Sequence, residues 1–168
     1  MASSNKIIII TAPSGAGKTS ITHYLLKRIP QISFSVSAAT RQPREFEKDK
    51  VDYYFISQQE FQQRIQHNEF VEWEMVYEGK YYGTLKSELQ RIWDMKKIPL
   101  LDIDIKGAIH VQQQYPQNCL IIFVEPPSVD ELKKDYYKEE QRPKKAFRQG
   151  SARQAMRSLS NTALIRLL

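Results

Sequence analysis

The chain has 168 residues, enough for one domain with its own hydrophobic core, and its 41% hydrophobic and 26% charged residues exclude a disordered or collagen-like protein. A single cysteine excludes a disulfide framework, and no apolar run approaches the roughly 20 residues that a membrane span needs. The formal net charge of +6 leaves a polyanionic partner open, and we otherwise expect a soluble cytoplasmic protein.

The first part of the chain predicts a strand followed directly by a helix. Residues 6–10 are an almost unbroken isoleucine run, which is typical of a strand buried in a parallel sheet. Residues 17–28 then repeat apolar side chains at helical spacing, and the pattern ends before Pro30. A strand, a tight loop and a helix in this order predict the first unit of an α/β fold.

The middle of the chain predicts an insert of shorter elements. Its strand-like pieces are residues 33–37, 52–57, 70–76 and 80–83. Ser57 with Glu60 forms a capping box that opens a short polar helix, and Glu78-Gly79 predicts a hairpin turn. Because a hairpin pairs its strands antiparallel, we expect these pieces to build a sheet of their own.

The next elements alternate between helix and strand. They are a helix near 85–96, a strand at 98–105, a helix near 107–114 and a strand at 120–124. Alternation of buried strands with helices predicts a parallel sheet covered on both faces. The expected fold class is therefore α/β, a parallel sheet flanked by helices with a mixed-sheet insert at about 36–90.

A phosphate-binding loop pattern, APSGAGKT at residues 12–19, lies between the first strand and the first helix. Loop N–H groups would surround nucleotide phosphates, Lys18 would neutralise the β- and γ-phosphates, and Thr19 would ligate Mg²⁺. Ala12 replaces the first glycine of the general pattern. The plainer alternative, a glycine-rich turn with an exposed lysine, leaves the agreement of strand, loop and helix unexplained. The expected ATP-binding residues are Ser14, Gly15, Ala16, Gly17, Lys18, Thr19 and Ser20.

Two acids lie at the end of the strand that contains Leu-Leu-Asp. Asp102 ends an apolar run, as does the acid that lies near the metal in many P-loop proteins. We expect Asp104, two residues on, to lie on the same strand face. The two acids could instead cap the strand in solvent, but the phosphate-loop pattern favours Thr19 and Asp102 as metal ligands.

The insert carries two arginines and several polar side chains. Arg41 and Arg44 in the stretch TRQPR suit bidentate binding of a second phosphate group, although such a pair alone is more often solvated surface. Polar residues near the ends of the insert strands are Ser37, Tyr53, Glu72, Tyr82 and Thr84. Taken singly, each of these is more often structural.

In this order the motifs resemble those of the guanylate kinase family over about residues 6–134. The matching stretches are APSGAGKTS, SVSAATRQPRE, VDYYF, FVEWEMVYEGKYYGT, LLDIDIKGA and IIFVEPPSVDELKK. The resemblance implies a P-loop nucleoside monophosphate kinase fold, and transfer of the γ-phosphoryl group of ATP, with Mg²⁺, to GMP. It implies catalytic roles for Lys18, Arg41 and Arg44. The GMP-binding residues that it implies are Ser37, Arg41, Arg44, Tyr53, Glu72, Tyr82, Thr84 and Asp104.

Two other functions stay open from the sequence. Guanylate-kinase-like modules that bind phosphopeptides are typically degraded in the phosphate loop, whereas the loop here is intact. A nucleic-acid-binding protein rests only on the net charge, and residues 135–168, with eight Lys and Arg against three Asp and Glu, supply +5 of the +6. We therefore expect GMP as the partner, with neither nucleic acid nor a membrane, and leave dGMP and the oligomeric state open.

Residues 135–168 depart from the family pattern, so the expected guanylate-kinase-like domain is 1–134 followed by an aberrant basic tail. The resemblance implies a lid of the type RG-T-E-T, a last core strand and a C-terminal helix here, and none is visible in the sequence. A shift of reading frame from Asp135 onward permits codons for a string containing RGTET. We interpret the tail as an out-of-frame translation, with a divergent tail as the alternative, and expect weak turnover from the polypeptide as written.

Overall fold

The computed structural model describes residues 5–12 and 18–124, together with the backbone of residues 165–167. Within these ranges the chain forms one parallel and one mixed sheet with helices packed against them, which confirms the predicted α/β class. The helices of the described ranges are all too short or too polar to cross a membrane. In chain order the elements are β1 (Ile7–Thr11), α1 (Lys18–Arg28), β2 (Ile32–Phe34), β3 (Ala38–Ala39), β4 (Tyr54–Phe55), α2 (Gln58–Gln66), β5 (Phe70–Tyr77), β6 (Lys80–Leu85), α3 (Lys86–Asp94), β7 (Ile98–Asp102), α4 (Ile105–Gln114), β8 (Cys119–Val124) and β9 (Ile165–Leu167).

The parallel sheet has the strand order β2-β7-β1-β8-β9, and all its neighbouring strands run parallel. The isoleucine run of β1 lies in its centre and is buried from both sides. Ile7 and Ile9 pack with side chains of α3 and α4, whereas Ile10 packs towards α1. Burial on both faces explains why this strand is apolar throughout rather than alternating.

The mixed sheet has the strand order β4-β3-β6-β5, with β3 and β4 parallel and the other pairs antiparallel. Helix α2 covers it, and the rings of Phe61 and Phe70 stack with centroids 4.2 Å apart. The predicted cap is present, since Ser57 accepts a hydrogen bond from the Glu60 amide at 3.1 Å. The predicted hairpin is present too, and Gly79 turns it at a φ of +69°.

Two predicted strands are shorter in the structure. The piece predicted at 33–37 ends at Phe34 and pairs with β7, so it belongs to the parallel sheet and not to the insert. The strand predicted to reach residue 105 ends at Asp102, because Asp104 instead caps α4 by accepting a 2.8 Å hydrogen bond from the Gly107 amide. Asp104 therefore does not share a strand face with Asp102, which corrects the sequence-based expectation.

A second difference concerns the end of the chain, where the sequence predicts no strand. Ile165–Leu167 pair in parallel with β8, at the edge of the parallel sheet. An edge strand presents unpaired N–H and C=O groups that an extended segment can satisfy, and Ile165–Leu167 supply one. The remainder of the predicted tail, residues 135–164 and 168, lies outside the described residues.

Candidate active site

The carboxyl ends of β1 and β7 bring the first two predicted site residues together. Ile10 of β1 lies opposite Asp102 of β7 in parallel register, so both strands end at the same sheet edge. Nζ of Lys18, the first residue of α1, lies 2.5 Å from Oδ1 of Asp102, and their side chains are 25% and 21% exposed. This ion pair is partly shielded from water, yet still open to a bound phosphate or cation.

The other residues of the phosphate-loop pattern lie directly before and after Lys18 in the sequence. Ser14, Gly15, Ala16 and Gly17 lie outside the described residues. Thr19 and Ser20 follow Lys18 in the first turn of α1 and have exposed side chains. A threonine hydroxyl and the Asp102 carboxylate are both oxygen ligands of the kind that Mg²⁺ prefers, so the donor set fits that ion.

Glu72 and Thr84 form a buried polar pair where β5 and β6 run side by side. The Thr84 hydroxyl donates to Oε1 of Glu72 at 2.7 Å, and the two residues are 1% and 8% exposed respectively. Burial, together with the charges of Asp104 and Glu74, raises the pKa of Glu72 to about 7, against the lowering effect of the Thr84 hydrogen bond. A buried acid that titrates near neutrality is a candidate functional group.

The start of α4 closes over this acid. A Cβ added to Gly107 would lie 3.0 Å from Oε2 of Glu72, so only a glycine lets the helix approach the carboxylate this closely. Asp104, which caps the same helix, is exposed and near enough for its charge to act on Glu72. Of the predicted GMP-binding residues, the fold thus gathers Glu72, Thr84 and Asp104 at one place.

Arg41 lies in a second cluster, in the loop between β3 and β4. Its Nη1 and Nη2 donate to the two carboxylate oxygens of Glu47 at 2.5 and 2.6 Å. Its guanidinium also lies over the rings of Tyr53 and Phe55, at 4.9 and 5.4 Å from their centroids. Hydrogen bonding to Arg41 lowers the pKa of Glu47 to about 2, so the pair stays charged across the physiological range.

Three other predicted residues border these clusters. The ring of Tyr82 meets that of Tyr53 edge to face, with centroids 6.0 Å apart, which joins it to the arginine cluster. The backbone amide of Arg44 donates to Glu47 at 2.8 Å, while the residue itself is exposed. Ser37 is half-buried between β2 and β3, and its carbonyl accepts from the Tyr54 amide.

Two acids at these clusters were not predicted from the sequence. Glu47 lies in a loop rich in charges, where nothing local marks it as the partner of Arg41. Glu88 lies in the first turn of α3 and is 2% exposed. Its position offered a signal, because it falls four residues before buried Ile92 and so on the apolar face of the helix.

Comparison with protein families gives one match over nearly the whole chain. The family model described as guanylate kinase matches residues 4–165. The chain is 48% identical over 128 residues to the guanylate kinase of Salinibacter ruber, covering 76% of this chain and 68% of the relative. It is also 48% identical over 129 residues to that of Porphyromonas gingivalis, covering 76% and 69%.

Two further comparisons bear on length and fold. The guanylate kinase of Bacteroides thetaiotaomicron is 43% identical over 128 residues, which is 76% of this chain and 63% of that protein, so the chain spans roughly two thirds of such relatives. The crystal structure of guanylate kinase from Anaplasma phagocytophilum superposes with a TM-score of 0.68 at 26% identity, covering 96% of this chain and 76% of that one.

Proposed function

This chain belongs to the guanylate kinase family of ATP:GMP phosphotransferases, and we propose that its own site transfers the γ-phosphoryl group of ATP to GMP, giving ADP and GDP. The observation that carries the proposal is the short connection between β7 and α4. Asp102 ends β7 beside Lys18, and Asp104, two residues on, begins α4 near buried Glu72. A centre suited to phosphate and a centre suited to a guanine edge are therefore held together by one short segment.

On the donor side, residues 14–20 would bind ATP. Backbone N–H groups of the loop and of the α1 N-terminus favour phosphate oxygens, and the Lys18 ammonium would exchange part of its ion pair with Asp102 for the β- and γ-phosphates. Mg²⁺, when bound, neutralises charge on the phosphates, and Thr19 and Asp102 are the residues that would hold it.

On the acceptor side, the two clusters would hold the two ends of GMP. Arg41, Arg44, Tyr53 and Tyr82 would bind its phosphate, since a guanidinium and phenol hydroxyls are strong donors to an anion. Glu72 would accept hydrogen bonds from the guanine ring N–H and the exocyclic amine. Ser37, Thr84 and Asp104 would complete the recognition of the base.

The chemistry then requires little covalent help from the protein. A non-bridging oxygen of the GMP phosphate forms a bond to the γ-phosphorus, and the bond from that phosphorus to the β–γ bridging oxygen breaks to leave ADP. Because the attacking oxygen is already anionic at neutral pH, the chain need not supply a general base. Lys18, Arg41 and Arg44 would contribute alignment and positive charge around the moving phosphoryl group.

A nucleotide titration of the full chain, with ADP formation as a second readout, tests the proposal. We expect GMP to bind and to be phosphorylated in preference to AMP, CMP and UMP. Lys18→Met should weaken ATP binding and lower turnover by roughly 10²–10³. Lys27→Met, at the other end of the same helix, is the matched control and should change neither.

Other patterns of nucleotide binding would point to other functions. A chain that binds neither GMP nor ATP would overturn the proposal. Binding of GMP without ATP would favour the phosphopeptide-binding type of guanylate-kinase-like module. Parallel titration with dGMP determines whether the deoxynucleotide is also a substrate, and we expect the reaction to take place in the cytoplasm.

A further inference from the structure

Glu88 is a buried carboxylate that reaches three separate parts of the chain. Its Oε1 accepts from the Val36 amide at 3.0 Å, and its Oε2 accepts from the Tyr54 hydroxyl at 2.7 Å. Arg91, one turn on in α3, donates to both oxygens at 2.7 and 2.8 Å. The contacts to Val36 and Tyr54 span 52 and 34 residues, so they tie the insert to a helix of the parallel-sheet core.

The partners of Glu88 are the immediate neighbours of proposed GMP-binding residues. Val36 precedes Ser37, and Tyr54 follows Tyr53, whose ring lies under the Arg41 guanidinium. Helix α3 itself begins directly after β6, the strand that carries Thr84. One carboxylate therefore bonds to the Val36 backbone and to the Tyr54 side chain, beside the guanine end and the phosphate end of the proposed site.

Charge balance alone does not explain this arrangement. Arg91 lies on the same helix and already compensates the carboxylate, so the bonds to Val36 and Tyr54 are not needed for neutrality. Burial raises the pKa of Glu88, but the bonds from Arg91, Val36 and Tyr54 outweigh it and leave the pKa below its usual value. Glu88 is thus an ionised acceptor, and hydrogen bonds to an ionised group are both stronger and more directional.

We propose that Glu88 is a positioning residue for GMP, which sets the spacing of the Ser37 and Tyr53 segments through its bonds to the Val36 amide and the Tyr54 hydroxyl. The inference rests on the proposed function, since it assumes that these segments bind GMP. Glu88 does not contact the nucleotide itself. Loss of the Glu88 carboxylate should weaken the binding of GMP. It should leave the binding of ATP unchanged, because Glu88 makes none of its hydrogen bonds to the proposed ATP-binding residues 14–20.

Two graded variants of the full chain test this. In Glu88→Gln the amide nitrogen cannot accept, so at least one donor loses its acceptor, and we expect the GMP Kd to rise roughly tenfold with the ATP Kd constant to within about twofold. Tyr54→Phe removes one hydroxyl and keeps the ring, so it should raise the GMP Kd by about threefold and fold normally. Val111→Ala, a cavity in α4 away from these bonds, is the control for a loss of stability.

The outcomes separate this inference from the proposed function. A rise in GMP Kd in both variants, with faster hydrogen exchange at the Val36 amide and no change in Val111→Ala, supports positioning by Glu88. A lower melting temperature in Glu88→Gln with an unchanged GMP Kd makes the network merely structural and overturns the inference alone. If the unmodified chain binds no GMP, the proposed function and this inference fall together.

Discussion

The Thr84 hydroxyl donates a 2.7 Å hydrogen bond to the buried Glu72 carboxylate, which holds the acid on the side of β5 that faces α4. The bond satisfies one oxygen but does not cancel the cost of burial, so the pKa of Glu72 lies at about 7. The ionisation state of this acid therefore changes in the pH range where proteins are usually assayed. The charges of Asp104 and Glu74 act on it, and Lys106 donates to Glu74 in turn.

The affinity for GMP should rise with pH through the pKa of Glu72. Only the carboxylate can accept from both guanine donors, and below pH 7 the bound nucleotide must first displace a proton. We expect the GMP Kd to rise by about tenfold for each pH unit below 7 and to level off above pH 7. Isothermal titration between pH 5.5 and 8.5 measures this, and a Kd that is flat across the range would contradict it.

The stability of the unliganded chain should respond in the opposite direction. Between pH 4.5 and 7 the folded chain keeps a proton on Glu72 that the unfolded chain releases, so the free energy of unfolding falls as pH rises through this window. Glu72→Gln cannot ionise, so it removes this pH dependence of the free energy of unfolding. The free energy of unfolding of Glu72→Gln should gain on that of the parent as pH rises from 5 to 8, by on the order of 3 kcal/mol, and thermal melts across this pH range measure the gain.

Two glycines near Glu72 should respond differently to alanine. A Cβ at Gly83 would lie 2.7 Å from the Glu72 carbonyl oxygen and 2.8 Å from Cβ of Trp73, so β5 and β6 must separate, at a cost of about 1–3 kcal/mol. A Cβ at Gly107 meets the Glu72 carboxylate oxygen at 3.0 Å and, at 3.4 Å, the end of the Ile103 side chain, with no backbone atom among these contacts. Gly107→Ala should therefore weaken GMP binding with little loss of stability. Thermal melts beside GMP titrations distinguish the two, and equal effects would contradict the assignment.

Glu47 should matter for GMP binding because it orients Arg41. Glu47→Gln leaves one acceptor where two now hold the guanidinium, so we expect the GMP Kd to rise by roughly three- to tenfold. Glu45→Gln, an exposed acid in the same loop, is the control for the change in charge. A tighter GMP complex in Glu47→Gln would instead mean that Glu47 competes with the phosphate for Arg41.

The fold was predictable wherever burial alone dictates the pattern. The isoleucine run of β1 and the hairpin at Gly79 follow from local chemistry, and both are present in the structure. The end of β7 was not predictable, because the Asp104 side chain competes for the Gly107 amide and starts α4 early. The pairing of Ile165–Leu167 with β8 depends on a strand edge more than 40 residues away, which no local pattern reports.

The site shows the same division between local and distant contacts. Lys18 and Asp102 belong to motifs with a fixed place on strands and helices, so their proximity could be predicted. The place of Glu88 on the apolar face of α3 left a signal in the sequence, but its two partners could not be predicted, since they lie 34 and 52 residues away. Acids that position other residues leave little trace in one sequence, because their function lies in the contact and not in the motif.

Asp102 should set the requirement for Mg²⁺. Asp102→Asn removes the charge that would face the metal and frees Lys18 from its ion pair, so we expect half-maximal turnover to need at least about tenfold more Mg²⁺. Asp94→Asn, at the exposed end of α3, is the control and should leave the Mg²⁺ dependence unchanged. If both variants titrate like the parent, Asp102 has no role at the metal.

The tail gives the last prediction, at the level of the coding DNA. Relatives align over 128 to 132 of the 168 residues, whereas the family model matches residues 4–165, and we propose that residues 135–168 are read out of frame. One A lost from an A-run after Leu132 would produce the tail. Restoring it should return the RGTET lid and raise GMP-dependent turnover by roughly 10³–10⁵, the range known for arginines that stabilise phosphoryl transfer.

The chain as written and the frame-restored chain differ only from residue 135 onward, so their activities can be compared directly. The chain as written and the frame-restored chain are assayed side by side with the Lys18→Met variant of each. The restored chain should gain turnover, while GMP binding, which depends on residues before 134, should change far less. A coding sequence without the A-run, or a restored chain no faster than the present one, would mean that the tail is the protein's own.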